Sequence, residues 1–297
     1  MQTSSNLNYA IDEVVSEVAW SEFYNGEFFV PFFFRIQGSS RPRERSARFG
    51  GLGKYAAKTP TAQAERDQIT QEAEQNLVHG AYGKTVELER ELIDDAEWPV
   101  LEEISEELGY MARFTMESDG AAVFNDITGG ATYTTDQGKP IAYTAHVNAA
   151  GGNSQNNALT NALNQAGLKD SRQKGRDFKN ARGELMYARH TLLIVPNELE
   201  TTGWEQVRSV AKPDTTNNNP NFFAGMSMVA WDLLTDSNAW GLIDPRLMKK
   251  YLKWFMRIMF ETWGDGDYDT GTKRIGGYYR ESHGCSHWPW IVWNNPS

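Results

Sequence analysis

The chain has almost no cysteine: Cys285 is the only one among 297 residues. A disulfide framework within one chain is therefore impossible, which excludes the small secreted domains that depend on such a framework. A long apolar run is also missing, because the most apolar stretch, FFVPFFF at residues 28–34, is far too short to span a bilayer. We therefore expect no membrane partner.

An excess of basic charge is missing as well. The chain has 29 Lys and Arg against 39 Asp and Glu, which gives a formal net charge of -10. Dedicated nucleic-acid-binding proteins are normally basic, so we expect at most non-specific contact with DNA. The opening residues, MQTSSNLNYAIDEVV, show no basic segment followed by an apolar core. We therefore expect no signal peptide, and synthesis in the cytoplasm.

Known catalytic motifs are absent from the sequence. It contains no G-x-S-x-G, no phosphate-binding glycine loop with a lysine and no dinucleotide fingerprint. One acidic series could host paired acid–base chemistry, but nothing ties it to a pocket: Glu87, Glu89, Glu91, Asp94 and Asp95. We expect that the protein is not an enzyme, with no catalytic residues and no cofactor.

The segment GDGDYDTG, residues 264–271, has part of a calcium-loop pattern. Asp265, Asp267 and Asp269 occupy alternate positions. However, Thr270 stands where the loop needs glycine, and Gly276 stands where it needs a bidentate Glu. We interpret the segment as a solvated hairpin loop.

A second partial metal pattern is HGCSH, with His283, Cys285 and His287. A tetrahedral zinc site needs a fourth ligand and usually a second Cys pair, and the other histidines are scattered along the sequence. We interpret HGCSH as a polar turn and expect no metal requirement.

Hydrophobic periodicity predicts a long amphipathic helix over residues 94–118, with Pro99 in its first turn. The stretch LLIVPNELE, residues 192–200, predicts a buried strand that Pro196 ends and a helix that Asn197 caps. Such corners can carry a catalytic nucleophile, but this one has no Ser or Cys.

The remaining segments predict a mixture of helices and strands. We expect a small helix within residues 1–26, an extended FFVPFFFRIQGSS, a strand over 82–88, strand-like ATYTT and IAYTAHV, a helix over 154–168, a polar connector over 169–185, and strands in MSMVAWDLL, SNAWGLID, TKRIGGYYRES and WPWIVW. The stretch LKWFMRIMF fits a strand, with a helix over 246–260 as the alternative.

Residues 41–84 contain little apolar sequence from which to build a core. They begin with RPRERSARFGGLGKYAAKTP and continue through a polar, charged stretch before the strand. We interpret them as a long excursion from the body of the protein, a feature that is usually functional or disordered. Basic residues at 41–48 and 169–182 are interspersed with acids, which favours solvated faces or subunit contacts over phosphate binding.

In their order, these segments resemble tailed-phage major capsid proteins of the Hong Kong 97-like fold, and more closely the Mu-like major head subunit group. The resemblance begins at RIQGSSRPRERSARFGGLGKYAAKTP and continues through QNLVHGAYGKTVELERELIDD and LLIVPNELETTGWEQV. It ends with a segment containing Asp236, Trp240, Leu242 and Asp244, and with WPWIVW. It covers most of the chain from about residue 35.

The resemblance implies an α+β fold with four parts. Residues 1–44 would form an N-terminal arm, and residues 45–84 an extended hairpin, the E-loop, that lies over a neighbouring subunit. Residues 85–122 and 245–297 would form a peripheral domain built on the long spine helix. Residues 123–244 would form an axial domain at the centre of a capsomer.

The implied function is structural: a major capsid subunit that self-assembles into pentamers and hexamers of an icosahedral phage head enclosing double-stranded DNA. The implied location is the virion, and the implied partners are other copies of the chain and portal, scaffold and cement proteins. Because the arm is short, we expect the scaffold to be a separate protein. Lys54 and Lys58 lie in the implied E-loop, but no motif matches the Lys–Asn cross-linking chemistry of some members.

Two alternatives remain open at the level of sequence. An encapsulin-type nanocompartment shares the fold and would show an apolar groove for cargo peptides. A carbohydrate-active or carbohydrate-binding protein would use the 10 Trp and 12 Tyr to line a cleft.

Overall fold

The computed structural model describes residues 4–26, 28–50, 52–61, 63–68, 71–89, 98–147, 154–213, 219–266 and 272–296. The chain folds into two compact units. The first unit comprises Met1–Glu44, Leu77–Gly120 and Trp254–His283, and the second comprises Arg45–Asn76, Ala121–Lys253 and Gly284–Ser297.

The structure contains both helices and strands along the chain. In order, the elements are α1 (Ser4–Asn25), α2 (Val30–Phe33), β1 (Arg35–Gly38), β2 (Arg43–Phe49), β3 (Gln71–Val78), β4 (Gly80–Leu88), α3 (Trp98–Asn125), β5 (Ala158–Leu159), α4 (Gln165–Arg176), β6 (Leu192–Val195), a 3₁₀ turn (Asn197–Leu199), α5 (Glu200–Arg208), β7 (Ser227–Ala230), β8 (Trp240–Ile243), α6 (Pro245–Tyr251), β9 (Leu252–Gly266), β10 (Lys273–Cys285) and β11 (Ile291–Asn294).

The first unit contains a four-stranded sheet in the order β1-β9-β10-β4. Strands β10 and β4 are antiparallel, with Ile275 opposite Val86. Helix α3 packs on this sheet beside Gly277, where an added Cβ would lie 3.4 Å from Leu108 and 2.8 Å from the Phe260 ring. The predicted apolar face of the long helix is confirmed, because Leu101 and Leu108 are buried. The expected acidic start of this helix, residues 94–97, lies outside the described residues.

Helix α1 packs closely against α3. Val15, Ala19 and Phe23 are buried on α1. An added Cβ at Gly109 of α3 would lie only 2.2 Å from the Ala19 carbonyl oxygen, so glycine permits the close approach of the two backbones. Arg113 of α3 donates to the carbonyl oxygen of Glu22 at 2.6 Å and to its carboxylate at 3.0 Å. The predicted helix within residues 1–26 is confirmed.

The second unit is built on a five-stranded sheet in the order β5-β11-β8-β6-β7. All four residues of β6 are buried, and Leu193 pairs with Leu242 of β8 and with Met228 of β7. Helices α4 and α5 contribute to the core against this sheet. The buried cluster comprises Leu163, Leu168, Leu193, Val195, Val207, Phe223, Trp240 and Leu242.

The predicted corner at LLIVPNELE is confirmed, except for its cap. Strand β6 ends at Val195, and α5 begins at Glu200 after a 3₁₀ turn. Asn197 is the first residue of that turn and not a cap, since Pro196 holds the capping position and no side chain bonds there. Proline has no N–H, so the strand ladder could not continue through residue 196.

The predicted extended FFVPFFF is wrong for Val30–Phe33, which form the short helix α2. Pro31 lies in the first helical turn, where a missing N–H costs nothing. The carboxylate of Glu117 accepts the Val30 N–H at 3.0 Å, so a residue distant in sequence caps the helix. Extended structure begins with β1 at Arg35.

The predicted helix over 154–168 and the connector over 169–185 are wrong in their bounds. Ala158–Leu159 form strand β5, and helix α4 runs from Gln165 to Arg176. The Asn164 side chain caps α4 by accepting the Gly167 N–H at 2.8 Å. ATYTT and IAYTAHV contribute only isolated bridges, Thr134 to Pro140 and His146 to Gln155.

The C-terminal part of the chain contributes to both units. LKWFMRIMF lies in strand β9, so the alternative of a helix over 246–260 holds only for α6. Strand β11 pairs with β8 and β5 of the second unit, whereas the map implied by the resemblance places all of 245–297 in the peripheral domain. Helix α3 continues to Asn125, beyond its predicted end at residue 118.

Candidate interaction surfaces

The residues of HGCSH are part of the packing. Cys285 is buried, its Sγ accepts the Trp290 indole N–H at 3.1 Å, and its thiol donates to the His287 carbonyl oxygen at 3.1 Å. Burial raises the pKa of the Cys285 thiol to about 12, so the thiol is protonated and unreactive at neutral pH. His283 stacks on Trp254 with 4.3 Å between ring centroids. Within the described part of the chain, no group of His, Cys, Asp and Glu could hold a metal ion.

The two acidic segments are only partly described. Asp267 and Asp269 of the calcium-like pattern lie outside the described residues, as do Glu91, Asp94 and Asp95. Glu87 on β4 forms a cross-strand pair with Arg274 on β10, with 2.5 Å between the charged atoms. The structure therefore gives Glu87 an ion-pair partner and not an acid–base partner.

Strands β2 and β3 form a separate two-stranded ribbon. Arg45 of β2 pairs across the ribbon with Glu74, and Arg48 pairs with the buried Asp136. These ion pairs within the chain involve two of the basic residues at 41–48. Gln75 of β3 donates to the Thr134 carbonyl oxygen at 2.9 Å, a further contact of the ribbon with the rest of the second unit.

The segment between β2 and β3 is irregular and largely exposed. Asp67 accepts the Gly53 N–H at 2.6 Å and an Arg182 N–H at 2.6 Å. These hydrogen bonds lower the pKa of Asp67, the bond from Gly53 having the larger effect. Yet Leu52 and Tyr55 remain 55% and 100% exposed. Large apolar side chains presented in this way are typical of a surface that another molecule covers.

Two further surfaces lie on the second unit, on α4 and α5. One side of α4 carries Lys169, Arg172 and Arg176 above a concave surface. Helix α5 exposes Trp204, whose side chain is 58% accessible. The sequence interpretation missed the α4 surface because it placed residues 169–185 in a connector. The cap at Asn164 and the three- and four-residue spacing of the cations were the available signals.

No helix among the described residues is both long enough and apolar enough to cross a membrane.

The fold and surfaces were compared with known proteins. A family model described as phage capsid protein matches residues 74–286. The chain belongs to this family. A search of curated proteins found no match.

Solved capsid structures share the fold of this capsid protein at low sequence identity. The Cyanophage P-SCSP1u capsid is 11% identical over 91% of this chain and 88% of the other, with a TM-score of 0.58. A Microbacterium phage Oxtober96 structure is 12% identical over 92% of each chain, with a TM-score of 0.55. The bacteriophage JBD30 procapsid is 13% identical over 100% of this chain and 77% of the other, with a TM-score of 0.55.

These matches confirm the predicted α+β, Hong Kong 97-like fold and the role of a major capsid protein. The protein is thus a structural component of a phage head. The suggested closeness to the Mu-like group remains a prediction.

Proposed function

We propose that this capsid protein assembles into pentamers and hexamers of an icosahedral head that encloses double-stranded DNA. The proposal rests on the ribbon of β2 and β3 and on the exposed, irregular segment that connects these two strands. The chain that carries this feature belongs to the phage capsid protein family. Residues 45–84 serve as the E-loop and lie over a neighbouring subunit. Residues 1–44 serve as the N-terminal arm.

The remainder of the chain forms two further proposed domains, of which the peripheral one is built on the long helix. Residues 85–122 and most of 245–297 form the peripheral domain, and residues 123–244 together with β11 form the axial domain. The DNA is held without sequence-specific contacts, which agrees with the net charge of -10. Portal, scaffold and cement proteins are further partners, and the subunit is made in the host cytoplasm.

The role is structural and not catalytic. The family assignment supports a phage head more than the encapsulin-type alternative, since the matching family model is that of a phage capsid protein. One JBD30 structure is of a capsid decorated with minor capsid protein trimers. A chain of that structure is 13% identical to the present chain, over 71% of the present chain and 92% of the other. This similarity supports a decorating partner as part of the proposal.

The E-loop proposal is tested by replacing residues 52–68 with a short Gly/Ser link. The exposed segment contributes little apolar area to the core of its own subunit, so the variant should keep a near-normal circular dichroism spectrum and a cooperative melt. Electron microscopy should show that it forms no closed shells, because the contact with the neighbouring subunit is gone.

A matched control removes one intrachain bond of the same segment. Arg182→Ala loses the Arg182–Asp67 pair but keeps the loop. It should assemble like the wild type, since exposed ion pairs contribute little to stability.

The contradicting outcome concerns the variant in which residues 52–68 are replaced. Closed shells of normal size from that variant would show that the loop does not join subunits.

A further inference from the structure

A basic groove lies on the second unit between α4 and the side chains of Lys212, Phe222 and Phe223. Its volume is about 670 Å³. Gln165, Ala166, Lys169, Arg172, Gln173, Arg176, Lys212, Phe222 and Phe223 line it. Lys169, Arg172 and Arg176 recur at three- and four-residue steps, which places their cationic groups on one side of α4.

Three cations of the basic groove lie on α4. Within the described part of the chain, Lys169, Arg172 and Arg176 take part in no ion pair. The Arg172 guanidinium lies 4.5 Å above the Phe222 ring, and that ring is 68% exposed. Burial lowers the pKa of Arg172, and the positive charge of Arg176 lowers it further. Like charges held together beside an exposed ring favour a partner that is both anionic and aromatic.

A complementary surface lies on α5 of the same unit. This tryptophan face consists of Trp204, which is 58% exposed, the exposed carboxylates of Glu200 and Glu205, and Arg208 one turn after Trp204. Its net charge is therefore negative. Among the described residues, no ion pair joins either glutamate to a cation. Tryptophan and arginine are the residues that most often dominate the binding energy of protein interfaces.

The tryptophan face and the basic groove point in different directions. The Gln165 amide of α4 donates to the Gln206 amide oxygen of α5 at 2.9 Å, so Gln206 lies on the side of α5 that faces α4. Trp204 is two residues earlier, about 200° around the helix, and therefore faces away from α4. Two distinct complementary surfaces on one subunit are what a head-to-tail ring requires.

Resting on the proposed function, we propose that the tryptophan face of one subunit occupies the basic groove of the next subunit in a capsomer. Trp204 would lie beside Arg172 and Phe222, and Glu200 and Glu205 would neutralise the groove cations. A second copy fits the groove better than DNA does, because the apolar floor of Ala166 and Phe223 offers nothing to a phosphate backbone but can bury an indole ring.

Paired charge reversals in the full-length protein test this contact. The groove variant carries Arg172→Glu and Arg176→Glu, and the face variant carries Glu200→Arg and Glu205→Arg. Each should fold with a near-normal circular dichroism spectrum but lose capsomers in analytical ultracentrifugation. One chain carrying all four substitutions should recover capsomers, because the opposite charges then meet with reversed sign. Lys179→Glu, an exposed site outside the groove, should assemble normally.

Truncation of the indole tests the apolar part of the contact. Trp204→Ala should raise the subunit concentration needed for assembly by about thirtyfold, as expected for a dominant interface residue. Val210→Ala changes a side chain that is 84% exposed and should leave that concentration unchanged. Equal assembly by Trp204→Ala and the wild type would contradict the proposal.

The outcomes separate this inference from the proposed function. A wild-type protein that forms no capsomers refutes the proposed function itself. If the wild-type protein and both charge-reversal variants assemble equally well, only the groove contact is overturned. The same conclusion follows if the chain with all four substitutions does not recover capsomers. Loss of binding to a fluorescent DNA duplex by the groove variant, with assembly intact, would instead make the groove a nucleic-acid site and overturn the proposal.

Discussion

His146 and His190 show how single polar residues are accommodated in the second unit. His146 stacks on Trp288 with 4.4 Å between ring centroids, and its Nε2 lies 3.1 Å from the acceptor Oδ1 of Asn157. His190 contacts Phe178 edge-on at 5.7 Å. Burial lowers the pKa of each imidazole to about 4, so both are neutral in the folded protein near pH 7.

Stability should therefore fall on mild acidification. The unfolded chain protonates its histidines near pH 6.5, whereas folded His146 and His190 resist protonation down to about pH 4. The contribution of the two histidines to stability is complete above pH 6.5. It is lost as the pH falls from about 6.5 to about 4. Between pH 7.5 and pH 5.0 the free energy of unfolding should drop by about 2 kcal/mol for each histidine.

Urea unfolding at the two pH values measures this drop. His146→Gln should be less stable at pH 7.5 but less sensitive to pH, because it removes a histidine that is neutral in the folded protein and protonated in the unfolded chain near pH 5. A variant with the same pH dependence as the wild type, or His146 and His190 signals that titrate near pH 6.5 in the folded protein, would contradict this prediction.

Among the elements, the contact between α1 and α3 depends on one glycine. An added Cβ at Gly109 would lie 2.2 Å from the Ala19 carbonyl oxygen. We expect Gly109→Ala to force the two helices apart and to lower the free energy of unfolding by about 1–3 kcal/mol. Limited proteolysis should then cut within α1. Gly38→Ala is the control, since nothing lies within 4 Å of a Cβ at Gly38; equal protease resistance of the two variants would argue against the close approach.

The apolar face of α3 gives a second prediction at this scale. Leu108 is 5% exposed, and Leu108→Asp would bury a charge without a partner at a cost of several kcal/mol. We expect insoluble or unfolded protein in an expression and solubility assay. Glu106→Asp, at an exposed position two residues earlier, should remain soluble. Soluble, assembling Leu108→Asp protein would show that the core face of α3 is misassigned.

Elements with strong local signals could be predicted from sequence, and elements set by distant contacts could not. The apolar period of α3 and the run LLIV followed by Pro196 were enough to locate the long helix and β6. Helix α2 was missed because its cap, Glu117, lies far away in sequence. The surfaces were harder still: the basic groove combines α4 with Phe222 and Phe223, and only the tertiary fold brings them together.

At the scale of the whole molecule, most tryptophans are buried, and a few aromatic side chains are exposed in particular segments. The two units bury most of their large side chains, including Trp231, Trp240, Trp254, Trp288 and Trp290. The tryptophans are thus mainly core residues, which leaves little support for a carbohydrate-binding cleft. The segment between β2 and β3 and helix α5 instead expose Tyr55 and Trp204. Aromatic residues are enriched at protein interfaces, which agrees with the proposed contacts between subunits.

Electron microscopy of the purified, concentrated full-length protein, with and without the proposed scaffold partner, tests the central claim most directly. The account predicts capsomers or closed icosahedral shells, because the chain belongs to the phage capsid protein family and shares the capsid fold. A protein that stays strictly monomeric at high concentration with the scaffold present would contradict it.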